Sequence, residues 1–142
     1  MPDYGIIRDL KARIQEKLGT IFGLTTYIDA LPETGYKLPA CVIIYVGGAG
    51  DREVGCGTLN PFRTPVLQLD VWALTMQQAD GYADEVQATM YANRFSMGSV
   101  SGGTIKWMHA ASEPREIARA GVTDPFHVTM GWEAFVAPSQ TA

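Results

Sequence analysis

Cysteine and histidine are almost missing from this chain, which has only Cys41, Cys56, His109 and His127. Two thiols exclude a disulfide framework, and a tetrahedral zinc site would have to gather all four of these scattered residues, whose spacing matches no ligand motif. Basic charge is also short. Eleven Lys and Arg stand against 15 Asp and Glu, a formal net charge of −4, so no broad positive field draws the chain onto nucleic acid or an anionic membrane. No apolar run reaches the ~18 residues of a membrane span. Asp3, Arg8 and Asp9 lie where a secretory signal would be apolar, and the expectation is a protein made in the cytoplasm and not bound to a membrane. No repeat or compositional break divides residues 1–142, so one domain is expected.

What is present is pattern. Phe126, Val128, Met130, Trp132, Ala134 and Val136 alternate with His127, Thr129, Gly131 and Glu133. Side chains alternate faces along a strand, so this segment has one apolar face that needs a layer of helix over it. Ile6, Leu10, Ile14 and Leu18 recur every four residues among charged neighbours, the stripe of an amphipathic helix. Asp3 is its expected N-cap, and Gly19 and Gly23 mark its end. The prolines at 32 and 39 confine residues 27–30 to a short strand at most. Residues 40–46, apolar on both faces, predict a buried strand; residues 64–74 predict another, with Leu67, Leu69, Val71 and Ala73 inward and Gln68 and Asp70 outward. Thr75 followed by Gln78 is a capping-box signature, and Ala79, Ala83, Val86 and Met90 form the stripe of the helix it opens. Residues 104–111 predict a further strand and residues 113–124 an irregular segment broken by Pro114 and Gly121. Residues 47–61, with five glycines, predict a long mobile loop. The expected architecture is α+β: a mostly antiparallel sheet of about four strands, with two main helices packed on one face.

Chemical signatures are sparse. The glycines after residue 46 invite a phosphate-loop interpretation, but no glycine-rich phosphate motif can be placed there, no lysine follows and the next element is a strand. Asp80 and Asp84 fall opposite the apolar stripe of their helix, where a solvated face explains them. His109 and His127 lie in strands with no Ser or Cys in a strained turn to partner them. Cys41 reads as a small buried hydrophobe and Cys56 as the one candidate reactive thiol. Trp72, Trp107 and Trp132 lack interleaved basic residues, so core or interface anchors suit them better than base stacking. No catalytic residue, cofactor or metal ligand is assigned.

The order of elements carries more than any motif. A helix precedes the proline-flanked strand Pro39, Ala40, Cys41, Val42, Ile43, Ile44; a long loop follows; a strand ending Asp70, Val71, Trp72, Ala73 leads straight into an alanine-rich helix. A late strand at Pro125, Phe126, His127, Val128 follows a polar break. This succession resembles the tail terminator, or tail-completion, proteins of long-tailed bacteriophages over nearly the whole chain. The resemblance implies a structural virion protein and not an enzyme: a six-membered ring of identical subunits at the tail–neck junction that caps the head-proximal end of the tail tube, stops its polymerisation and joins tail to head. Implied partners are other copies of the chain, the tail tube protein and the connector or stopper protein of the neck, with genome DNA passing through the ring without specific binding. Synthesis would be in the host cytoplasm. A stopper or head-completion subunit belongs to the same interaction class, whereas a small-molecule enzyme would demand a deep pocket with convergent polar groups. The expected contact residues are Asp51, Arg52, Glu53 and Val54 in the glycine-rich loop, with Glu113, Arg115 and Arg119 in the later irregular segment.

Overall fold

The computed structural model describes residues 4–52 and 62–138. Its elements are α1 (Tyr4–Leu18), β1 (Thr25–Ile28), β2 (Ala40–Arg52), β3 (Phe62–Ala73), α2 (Met76–Ala92), β4 (Ser99–Val100), β5 (Gly103–Ile117) and β6 (Phe126–Pro138). The strands form one mixed sheet in the order β1-β2-β3-β6-β5-β4. The fold is α+β, as expected, but the sheet has six strands where about four were expected, and β1 pairs parallel to β2.

Period-two patterning decides which face the helices cover. Ile43, Leu69 and Met130 stand level across β2, β3 and β6, as do Cys41, Val71 and Val128 one step along. All six are buried, beneath Leu10, Ile14 and Leu18 of α1 and Ala79, Ala83, Val86 and Met90 of α2. Burying one such Leu or Ile contributes roughly 1.5–3 kcal/mol, and the small residues of α2 let it lie close to the sheet. α2 starts where β3 stops because Thr75, in extended conformation, accepts a 3.1 Å bond on its hydroxyl from Gln78 N.

α1 bridges two diagonal corners of the sheet. Asp9 accepts bonds from Ser101 N and Oγ, just beyond β4, while Lys11 pairs with Asp29, just beyond β1, and Gln15 Nε2 donates to the Thr26 carbonyl. Strands at opposite ends of the sheet order are thus held within two turns of one helix, so these corners bend toward α1. Sheet twist has a fixed hand, and the other two corners consequently turn away from the helices: the far ends of β2 and β3, and the end of β5 with the start of β6.

Three expectations are corrected. Residues 47–52 are not loop: β2 continues through its glycines to Arg52, bonded to β3 with register shifts between Tyr45 and Gly47 and between Gly48 and Asp51. Main-chain bonds need no side chain, and the shifts absorb the extra residues. Residues 113–117 are not irregular, because β5 runs to Ile117 through three register shifts, and Pro114 is tolerated on a strand that has no described neighbour on its outer edge there. The early short strand is Thr25–Ile28, displaced from residues 27–30. Asp3, Glu53, Val54, Cys56 and the remainder of the expected loop lie outside the described residues.

Candidate assembly surfaces

Among the described residues no helix lies on the second face of the sheet, which is built from side chains paired across strands. Asp70 and Thr129 are level neighbours, as are Trp72 and His127. Thr129 donates its hydroxyl to Asp70 Oδ1 at 2.6 Å, and Gln68 Nε2 donates to both Asp70 oxygens at 2.9 and 3.0 Å. His127 Nε2 lies 3.1 Å from Asp70 Oδ1, within ion-pair range though off the line of a hydrogen bond. Its ring stacks on Trp72, centroids 3.9 Å apart and 11° from parallel. Asp70 therefore points away from the helices, as expected, yet is only 4% exposed. Burial alone would push its carboxyl up; the contacts from His127, Thr129 and Gln68 outweigh that and hold it below its ordinary value. On the core side, Cys41 has its thiol pushed up by burial, with Asp70's charge adding to the effect. Further along the open face Trp107 stacks on Phe135 at 4.2 Å, and His109 Nε2 meets Glu133 Oε1 at 2.6 Å.

A groove of about 580 Å³ separates α2 from β5, lined by Ala88, Tyr91, Met108, Ala110 and Trp132, with Asp84, Arg94 and Glu113 at its rim. The Trp132 indole N–H is buried without a partner among the described residues. Arg94 is fixed beside it, its guanidinium 3.9 Å from the Tyr91 ring centroid and donating 2.7 Å to the Tyr91 carbonyl. One turn toward the start of α2, Asp80 meets Glu116, and the hydrogen bond with that carboxyl and its charge raise Glu116 above its ordinary value. Asp80 faces solvent as expected, but it shares that position with a second carboxyl.

At the strand ends near Trp72 and His127 an apolar pole is exposed. Leu74 and Val122 are 71% and 87% exposed and line a depression with Tyr36, Leu38 and Pro125. Arg119 also lines it, anchored by bonds to the Val122 and Asp124 carbonyls and set 4.0 Å from the Phe126 ring centroid.

The expected contact residues fall on separate surfaces. Asp51 and Arg52 end β2; Glu113 and Arg115 are exposed on β5; Arg119 belongs to the pole. In the order β2-β3-β6-β5, the first pair and the second occupy the outer two of the four long strands, so the chain does not bring them together. The Asp70, Thr129, His127 and Trp72 cluster was missed. Its signal was the parity of Asp70 and Trp72 on one strand and of His127 and Thr129 on another, which becomes a cluster only once the two strands are known to pair.

No protein-family model matches the chain, and no curated protein matches it. Solved structures do: 27 chains match, so the architecture is not peculiar to this sequence. One, whose name describes no activity, aligns with a TM-score of 0.52 at 12% identity, covering 98% of this chain and 99% of its own. At that identity the likeness is one of fold alone.

Proposed function

We propose that this protein is a structural virion subunit of a long-tailed bacteriophage, a tail terminator that assembles into a six-membered ring on the head-proximal end of the tail tube. The observation that carries the proposal is the one-sided sheet. Both helices cover one face, and the other is finished with polar and aromatic cross-strand pairs such as Asp70 with Thr129 and His109 with Glu133. Such a face is stable against water without a second layer of its own chain, and in a ring it suits the wet wall of a channel. The net charge of −4 per subunit disfavours adhesion of DNA passing through that channel. The order of elements along the chain supports the same assignment through its resemblance to tail terminators.

The apolar pole around Leu74 and Val122 supplies a surface for the axial partner, tube or neck, since exposed apolar patches with polar rims mark protein contacts. Mass photometry of the protein alone and with sheared tail tubes tests the proposal. A six-subunit species bound to one tube end is expected, and loss of the gene should give over-long tails that fail to join heads. A protein that stays monomeric and ignores tube ends overturns it.

A further inference from the structure

Of the four long strands, β2 and β5 are the outer pair, and each is covered along only half of its outer edge. β1 pairs with residues 40–43 of β2, and Asp29 N makes a last bond to the Ile43 carbonyl; along residues 44–52 no described strand lies on that side. β4 pairs with Gly103 and Thr104, and Ile105 N and Met108 N donate to the carbonyls of Gly98 and Arg94. Along residues 109–117 the outer edge of β5 again has no described neighbour. The two bare halves sit at opposite ends of the strands. Ala40, at the covered end of β2, is level with Trp72 and His127, and His127 is level with Ile117, at the bare end of β5. These are also the two corners that turn away from the helices.

We infer, resting on the ring assembly proposed above, that neighbouring subunits join by strand addition: residues 44–52 of β2 in one copy pair antiparallel with residues 109–117 of β5 in the next. Strand sense permits it. β2 is antiparallel to β3, β3 to β6 and β6 to β5, so two copies placed side by side in one orientation present edges of opposite direction. The half-length covers then interlock. When bare halves meet, the β1 of one copy passes beyond the end of the other's β5, and the β4 of the latter passes beyond the former's β2, so neither short strand obstructs the contact.

The two surfaces are different, so the contact is head-to-tail, the kind that propagates and closes into a ring when the rotation allows. The half-strand offset tilts the strands against the ring axis, as closure of any barrel requires. Main-chain bonds supply adhesion in strand addition, and side-chain pockets supply selectivity. Here the pocket is the groove between α2 and β5, which runs beside the bare half of β5 and holds the unpartnered Trp132 N–H for an acceptor brought by the neighbour. Tyr45 and Val46, 43% and 53% exposed, offer apolar surface at the start of the bare half of β2. Pro114 and the register breaks of β5 are the features by which natural edges refuse arbitrary strands, and they disfavour pairing of β5 with a second β5.

Two variants each remove one side of this contact at exposed positions. Tyr45→Lys combined with Val46→Lys spoils the β2 edge; Ala88→Arg fills the groove beside β5. Circular dichroism and the thermal midpoint confirm that each is folded, and mass photometry with and without tail tubes gives the species. The expected result is a ring for the unaltered protein, one subunit for each variant alone, and a two-subunit species, no larger, for their equimolar mixture, since each variant keeps one intact surface. A ring from either variant alone, a dimer from either alone, or a ring from the mixture overturns the edge pairing and leaves the ring assembly standing. An unaltered protein that is monomeric alone and on tubes overturns both.

Discussion

The two faces of the sheet are built from alternate residues of the same strands, yet they are stabilised differently. On the helix side Leu67, Leu69 and Val71 of β3 meet Trp132, Met130 and Val128 of β6, and the one polar group on these six side chains is the Trp132 indole N–H. On the open side Gln68, Asp70 and Trp72 meet Gly131, Thr129 and His127, and the contacts are hydrogen bonds and stacked rings. Burial is non-directional and scales with area, so the helix side tolerates imperfect geometry but not lost volume. Hydrogen-bonded clusters are the reverse: little area is at stake, and each partner left unsatisfied is costly.

Truncation in the covered layer should have the largest effect. Leu69→Ala leaves a hole at the centre of the core and should lower unfolding stability by about 2–5 kcal/mol, read from urea denaturation; a loss no greater than that of a surface substitution would break the contrast. On the open face, Asp70→Ala strands Thr129 and Gln68 and should cost about 1–3 kcal/mol. The same residue gives that face a pH signature. Its carboxyl is held below the ordinary value of 3.8 in the folded chain, so its stabilising contribution is present above that value and is lost as pH falls through the lower folded one. Asp70→Asn should therefore flatten the acid limb of the stability curve while leaving neutral-pH folding intact, and an unchanged acid limb would show that another group sets it.

Loosening the cover rather than the layer should matter less. Thr75→Ala removes the hydroxyl that accepts from Gln78 N and should cost about 1 kcal/mol, seen as a lower thermal midpoint with the sheet preserved. The smallest effect belongs to the exposed rim of the open face: His109→Ala breaks the contact with Glu133, whose partners are 57% and 20% exposed, and should change stability by only a few tenths of a kcal/mol. A larger loss would mean that the open face is held by its rim as firmly as by the Asp70 cluster.

The covered layer was legible in the sequence because apolar alternation and the four-residue stripe report burial directly: every inward residue of β3, and Ala79, Ala83, Val86 and Met90 of α2, is buried as expected. The open face was not. Asp70 was rightly directed away from the helices, but its burial comes from Thr129, His127 and Trp72 in register, and register between β3 and β6 is a long-range fact that no local pattern carries. Glycine and proline misled in the same way at residues 47–52 and 113–117, where local preference for loop was overruled by main-chain bonds to a neighbouring strand. The contact residues proposed from loop charges were legible as charges; that Asp51 and Arg52 belong to one edge and Glu113 and Arg115 to the opposite one depends on the strand order.

The β3–β6 seam also sets the order in which the chain can acquire its structure. β2 with β3, and β5 with β6, are neighbours in sequence, but the seam ties residue 63 to residue 136 and residue 73 to residue 126, with α2 in between. Two hairpins can form early, each closing a modest loop, whereas joining them must meet a larger entropy before any seam contact rewards it. Until then β3 and β6 each display an unpaired apolar edge. At high concentration the chain passes through this interval exposed to other copies of itself, so the yield of native protein should fall with refolding concentration well before its stability is in question.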